Sequence, residues 1–114
     1  MTQEPAPFAL VVRFTVRPGV ENEFDDLTHR TAAAIRESEP GTLVYACHQV
    51  ADAPRQRIFY ELYRDRAAFV THESQPYVKH FLQAREALLE STEVDFMTLD
   101  DGKTPAYDGT PSDG

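Results

Sequence analysis

The sequence is poor in the features that mark secreted, membrane-spanning or nucleic-acid-binding chains. It holds one cysteine, Cys47, in 114 residues. No internal disulfide can form, and a lone thiol suits a reducing cytoplasm, the expected location. No run of about 18 apolar residues occurs, so no transmembrane helix is expected. The start, MTQEPAPF, lacks the basic and apolar regions of a secretion signal, and none is expected. Cations are scarce and scattered, with 11 Lys and Arg against 19 Asp and Glu and a net charge of −8. Phosphate backbones and anionic lipid surfaces both need clustered cations, so neither nucleic acid nor membrane is an expected partner. Nucleophile elbow, glycine-rich phosphate loop and metal-ligand spacing are also missing, and neither a metal nor a bound cofactor is expected.

What remains is an ordinary globular composition, 41% hydrophobic and 26% charged, enough for one modest core. One domain is expected over residues 1–100, with a flexible appendage over 101–114, where DGKTPAYDGTPSDG has little to bury. Residues 8–17, FALVVRFTVR, are β-branched and aromatic and stop at Pro18-Gly19, which predicts a strand. Residues 20–38 predict a helix. Val20, Phe24, Leu27, Thr31, Ala34 and Ile35 fall within an arc of roughly 120°, and His29 lies on the far side. Strands are predicted over 42–50 and 57–64, joined by a loop over 51–56. Asp65 is placed to cap a short helix over 66–73. Pro76 opens a second helix over 76–90, whose inward arc holds Val78, Phe81, Leu82, Arg85, Leu88 and Leu89. A last strand follows over 93–100.

The order β-α-β-β-α-β, with the second helix broken, predicts an α+β ferredoxin-like fold. It implies a four-stranded antiparallel sheet with helices on one face. The other face, carrying Val11 and Leu99, needs a cover, and a second copy of the chain is the expected one.

Along this order run VVRFTVRPG, EPGTLVY and YELYRDRAAFVTHESQPYVKHF. Their spaced residues Glu61, Tyr63, Asp65, Phe69, His72, Ser74, Pro76 and Phe81 resemble the antibiotic biosynthesis monooxygenase family, small proteins that form dimeric α+β barrels. The resemblance covers residues 8 to about 99. It implies a pocket between sheet and helices, and an activity drawn from several. One is cofactor-independent oxidation of an electron-rich quinol or anthrone-like aromatic by O₂. The alternative is a non-catalytic module, binding a small molecule or serving as an accessory subunit. Haem-degrading relatives are similar to one another in an Asn, a Trp and a haem-ligating His. Here Val12, Tyr63 and His80 or Phe81 stand at those positions, so haem degradation is not the expected activity.

Candidate site residues follow from geometry and resemblance together. Phe69 and His72 are three apart on one helix, roughly 60° from each other, so His72 tilts inward if Phe69 does. His72 is then either a structural histidine tying down the corner or a general base. His80 lies about 120° from the inward arc and is a rim or surface residue. Phe59, Glu61 and Tyr63 share a strand face, which the resemblance turns toward the pocket. Tyr63 is the expected hydrogen-bond donor to a substrate oxygen, and Glu61 needs a partner wherever it is buried. Phe24, Phe69, Tyr77 and Phe81 complete the expected walls with Phe59. His48 and Tyr45 sit on opposite faces of one strand, and the pattern does not choose which is inward; His48 is carried as a pocket candidate.

Overall fold

The computed structural model of the protein describes residues 6–105. The expected flexible appendage lies outside the described residues from 106 on. The elements are β1 (Phe8–Val16), α1 (Glu21–Ser38), β2 (Thr42–Val50), β3 (Ala53–Tyr63), α2 (Arg66–Ser74), α3 (Pro76–Ala84), a 3₁₀ turn (Arg85–Leu88) and β4 (Leu89–Thr98). The sheet is antiparallel throughout in the order β2-β3-β1-β4. This is the expected ferredoxin-like α+β arrangement, with the second helix broken. Among the described residues no helix is long and apolar enough to cross a membrane.

Local chemistry explains where the helices start and stop. In α1, Glu21 and Glu23 occupy the first turn and Arg36 the last, each with the sign that the helix dipole favours. Asp65 caps α2, its carboxylate accepting the Ala68 N–H at 2.8 Å. Pro76 disfavours helical backbone at Gln75, which is held extended at φ −71°, ψ 139°, and this breaks the helix in two.

The core lies between the sheet and the helices. Phe14 of β1 is its hub, its ring centroid 4.7 Å from Phe59, 5.4 Å from Phe24 and 6.5 Å from Phe81. The Arg57 guanidinium clamps β3 to α1 through paired bonds of 2.8 and 2.9 Å to the two carboxylate oxygens of Asp25.

Two element boundaries differ from expectation. The predicted loop over 51–56 is a tight turn: Val50 pairs with Ala53, and Asp52 takes a left-handed φ of 62°, which aspartate tolerates. The strand therefore begins at Ala53, despite the polar run that follows. The predicted helix over 76–90 ends at Ala84, and β4 begins at Leu89, four residues early. The Leu88 carbonyl accepts the Arg17 N–H at 2.9 Å, and Leu89 pairs with Val16 across a bulge. Both leucines are buried in this arrangement, so the same apolar run satisfies a turn and strand as well as a helix.

One glycine sets how closely the corner after α1 approaches α2. A Cβ at Gly41 would lie 2.8 Å from the Ala68 Cβ, while the Gly41 carbonyl accepts the Arg64 N–H at 2.9 Å. Gly41→Ala is expected to cost about 1–3 kcal/mol by overpacking, read as a lowered midpoint in urea unfolding. Ala68→Gly in that background should return part of the loss, since the two sites are in contact.

Candidate functional site

Between the sheet and helices α2 and α3 lies a cavity of about 540 Å³, including the solvent space at its mouth. Leu10, Val12 and Phe14 form its floor, Phe69 and Phe81 its sides, and Val94 and Phe96 its rim. β4 is an edge strand, and its inner face is covered only in part, by Phe69 of α2 against Phe96. Val94 is 41% exposed and Phe96 62%, so the cavity opens there. Against these apolar surfaces stand Tyr45, Glu61, His72, Glu73 and Arg85. An apolar hollow with a few polar groups is the usual form of a small-molecule site.

His72 is 5% exposed. Its Nδ1 lies 2.8 Å from Glu39 Oε1; a carboxylate only accepts, so the ring proton resides on Nδ1. Nε2 makes no hydrogen bond to the described residues and faces Glu61 Oε1 at 3.9 Å. Glu39 is itself buried at the corner after α1. It accepts further bonds from Thr42 Oγ1 at 2.6 Å and from the Tyr77 hydroxyl. Its position depends on the close approach at Gly41, which brings this corner against α2. The carboxylate thus fixes both the tautomer and the ring plane of His72, leaving a basic nitrogen toward the cavity.

Glu61 accepts the Tyr63 hydroxyl at 2.6 Å. Burial pushes its carboxyl above the ordinary glutamate range, partly offset by that bond and by His72. Burial and then Glu61 push the Tyr63 phenol up as well. Tyr45 lines the cavity with its ring 5.7 Å from that of His72. Its hydroxyl has no hydrogen-bond partner among the described residues. Burial, followed by Glu61, holds its phenol well above the usual range, so it remains a protonated donor. Tyr45 also lines a second hollow of about 470 Å³, between the end of α1 and β2, together with Glu39, Arg36 and Thr42.

Of the residues expected at the site, His72, Glu61, Phe69 and Phe81 meet at this cavity. The others do not. Tyr63 is fully buried with its hydroxyl committed to Glu61, so it has no donor to offer a ligand. Phe24 and Phe59 pack around Phe14 in the core, behind the cavity floor. Tyr77 turns to Glu39. His48 pairs with Ile58, and lies on the helix-free face of the sheet, because the alternation of β2 gives the inner face to Tyr45, which pairs with Glu61. His29 and His80 are exposed on their helices. Glu39 is not among the expected residues, and Tyr45 takes the inward place that the sequence leaves open between it and His48. Tyr45 follows once the register of β2 is known, but nothing in the local pattern marks Glu39, two of whose three partners come from α2 and α3. Among the described residues, no three His, Cys, Asp or Glu side chains converge as a metal-ligand set.

The raised Glu61 carboxyl makes folding stability depend on pH. The folded state holds this proton more tightly than the unfolded chain does. Its contribution is therefore full below the ordinary glutamate value and lost as pH rises through the raised one. Glu61→Gln keeps an acceptor for Tyr63 and removes the titration. As pH rises above the ordinary glutamate value of about 4.3, the native protein should lose stability relative to this variant, whereas parallel urea-unfolding curves would contradict the assignment.

Comparison with known proteins agrees with this architecture. The Pseudomonas aeruginosa protein PA3566 superposes with a TM-score of 0.77 at 26% identity, over 86% of this chain and 98% of that one. Rv0793 from Mycobacterium tuberculosis gives 0.80 at 24% identity, over 87% and 100%, a likeness of fold. A curated relative, the uncharacterized protein sll1783 of Synechocystis, is 29% identical over 83 residues, 73% of this chain and 56% of its own length. The chain thus spans about half the length of the curated relative it matches. The family model described as antibiotic biosynthesis monooxygenase matches residues 7–84, and the chain belongs to that family.

Proposed function

We propose that the protein is a cofactor-independent monooxygenase acting on an electron-rich quinol or anthrone-like aromatic. The observation that carries this reading is His72, buried, oriented by Glu39 through Nδ1 and unbonded at Nε2 beside an apolar cavity. Ground-state O₂ reacts slowly with closed-shell organic molecules, but an electron-rich carbanion or phenolate passes it an electron directly. The protein then has three tasks: to take a proton, to stabilise the developing anion and to exclude water. Nε2 of His72 takes the substrate proton, and Glu39 stabilises the imidazolium formed. The Tyr45 hydroxyl supplies the hydrogen bond to the substrate oxygen, the part expected of Tyr63.

One electron moves from the anion to O₂, and the resulting radicals join in a new C–O bond. The imidazolium returns its proton to the peroxide. Loss of the remaining C–H proton then breaks the O–O bond, leaving a carbonyl and water. One oxygen atom of O₂ enters the product and the other leaves as water, so no external reductant is required.

The alternative, a binding module without chemistry, has less in its favour. The aromatic rings that would plug a pocket, Phe24 and Phe59, are sunk in the core and leave the hollow open. Haem degradation also fits poorly, since His80 is exposed on α3 and outside the cavity. The helix-free sheet face, with Val11, Ile58 and Tyr60 half-buried under no helix, favours a homodimer.

O₂ uptake with a panel of hydroquinones and anthrones, after chelator treatment, tests the activity. Uptake proportional to protein is the expected result, with one atom of labelled O₂ in the product: anthraquinone from an anthrone, or a ring-hydroxylated quinone from a hydroquinone. His72→Ala should lower it about 10²- to 10⁴-fold and Tyr45→Phe about 10²-fold, with Tyr63→Phe far milder. Unchanged turnover in His72→Ala would remove the histidine from the mechanism. For the assembly, light scattering should give twice the chain mass, falling toward the monomer in Val11→Arg.

A further inference from the structure

Arg85 is a cation without a counterion in contact. It ends α3 and starts the 3₁₀ turn, half-buried, and it lines the cavity. Its guanidinium carbon lies 5.3 Å from the centroid of the Phe14 ring and 5.7 Å from that of Phe81. It makes no hydrogen bond or ion pair with any described residue, whereas the buried Arg57 is satisfied on both edges by Asp25, Pro54 and Gln56. Burial opposes its charge, and Glu61, Glu73 and Glu86 act on it only through the field. A guanidinium held near two aromatic faces by cation–π contact, and bonded to no described residue, has its N–H donors left for a bidentate acceptor.

Among the residues that line the cavity, Arg85 is the one permanent cation. Of the two acids that line the cavity, Glu61 holds the Tyr63 hydroxyl, and Glu73 is exposed to solvent and makes no ion pair with Arg85. We propose that Arg85 anchors a carboxylate carried by the ligand, so that the cavity selects aromatic acids over their neutral analogues. The proposal rests on the reading of this cavity as an aromatic-substrate site and names the substrate class. Rings lie against Phe14, Phe69 and Phe81, the carboxylate against Arg85, and the hydroxyl of a substrate is left for His72. The carboxylate is distinct from the phenolate that His72 would generate, because it is present before any proton moves.

Equilibrium binding separates the two. The probes are 2-naphthoate and its isosteric neutral partner naphthalene-2-carboxamide, titrated by calorimetry at fixed ionic strength. Neither has a hydroxyl to deprotonate, so the result does not depend on turnover. The expected outcome is naphthoate bound roughly tenfold or more tightly than the amide, the size of one charge-assisted pair. Arg85→Gln should abolish that preference, bringing acid and amide to equal affinity. Arg85→Lys should keep part of it, and serves if the glutamine variant fails a thermal-melting check. Equal affinity for acid and amide, no binding of either, or a preference that survives Arg85→Gln would overturn the proposal. O₂ uptake without a preference for acids would sink this inference alone. Acid binding without uptake would sink the monooxygenase reading and leave Arg85 as an acid-binding residue.

Discussion

A buried carboxylate is tolerated only where hydrogen bonds replace its water, and the Glu39 carboxylate imposes this condition on half the molecule. Its three donors come from three places: Thr42 at the start of β2, His72 on α2 and Tyr77 on α3. Satisfying Glu39 therefore means docking the broken helix pair against the corner after α1. That docking requires the absence of a side chain at Gly41. Chain geometry, polar satisfaction and the orientation of His72 are then one constraint seen from three sides. A shift of the corner large enough to relieve crowding at Gly41 would also leave a carboxylate short of donors.

The aromatic residues divide the interior into a filled part and an open part. Phe14, Phe24 and Phe59 enclose one another and exclude solvent. Phe69 and Phe81 each have one side on that packing or on Tyr63 and the other on the cavity. The division follows from sheet order. β1 and β3 are central and lie beneath the helices, while β4 is an edge met from α2 by Phe69 against Phe96 and otherwise thinly covered. The inner face of a thinly covered edge strand next to a packed core is where a hollow can persist.

Most of the fold was legible because its signals are local. The Asp65 cap, the Pro76 break, the 3.6-residue stripe of α1 and the alternation of β1 each act within a few residues. The errors fall where two structures satisfy the same local pattern. Leu88 and Leu89 are buried whether helix or turn and strand carries them, and only pairing with β1 decides. The polar run after Asp52 looks like a loop until its backbone pairs with β2. At the site, His72, Glu61, Phe69 and Phe81 were reached through helix spacing, strand faces and family resemblance. Tyr63 lies outside the cavity lining, and a shared strand face does not reveal that its hydroxyl bonds its neighbour Glu61. Glu39 is silent in the sequence because the two contacts that tie it to the site, His72 and Tyr77, are 33 and 38 residues away. Arg85 was on the predicted inward arc, but the sequence could not show that it would arrive there without a partner.

The rim of the cavity and its chemistry sit on different pieces of chain. Val94 and Phe96 belong to an edge strand whose side chains are largely exposed and hold up little of the core. His72, Glu39 and Tyr45 belong to the interlocked corner. Changes in the width or greasiness of the opening can therefore accumulate on β4 at small cost in stability, while the proton-handling groups stay in place. Such a scaffold can drift in ligand range, lineage by lineage, without first having to give up and rebuild its reactive centre.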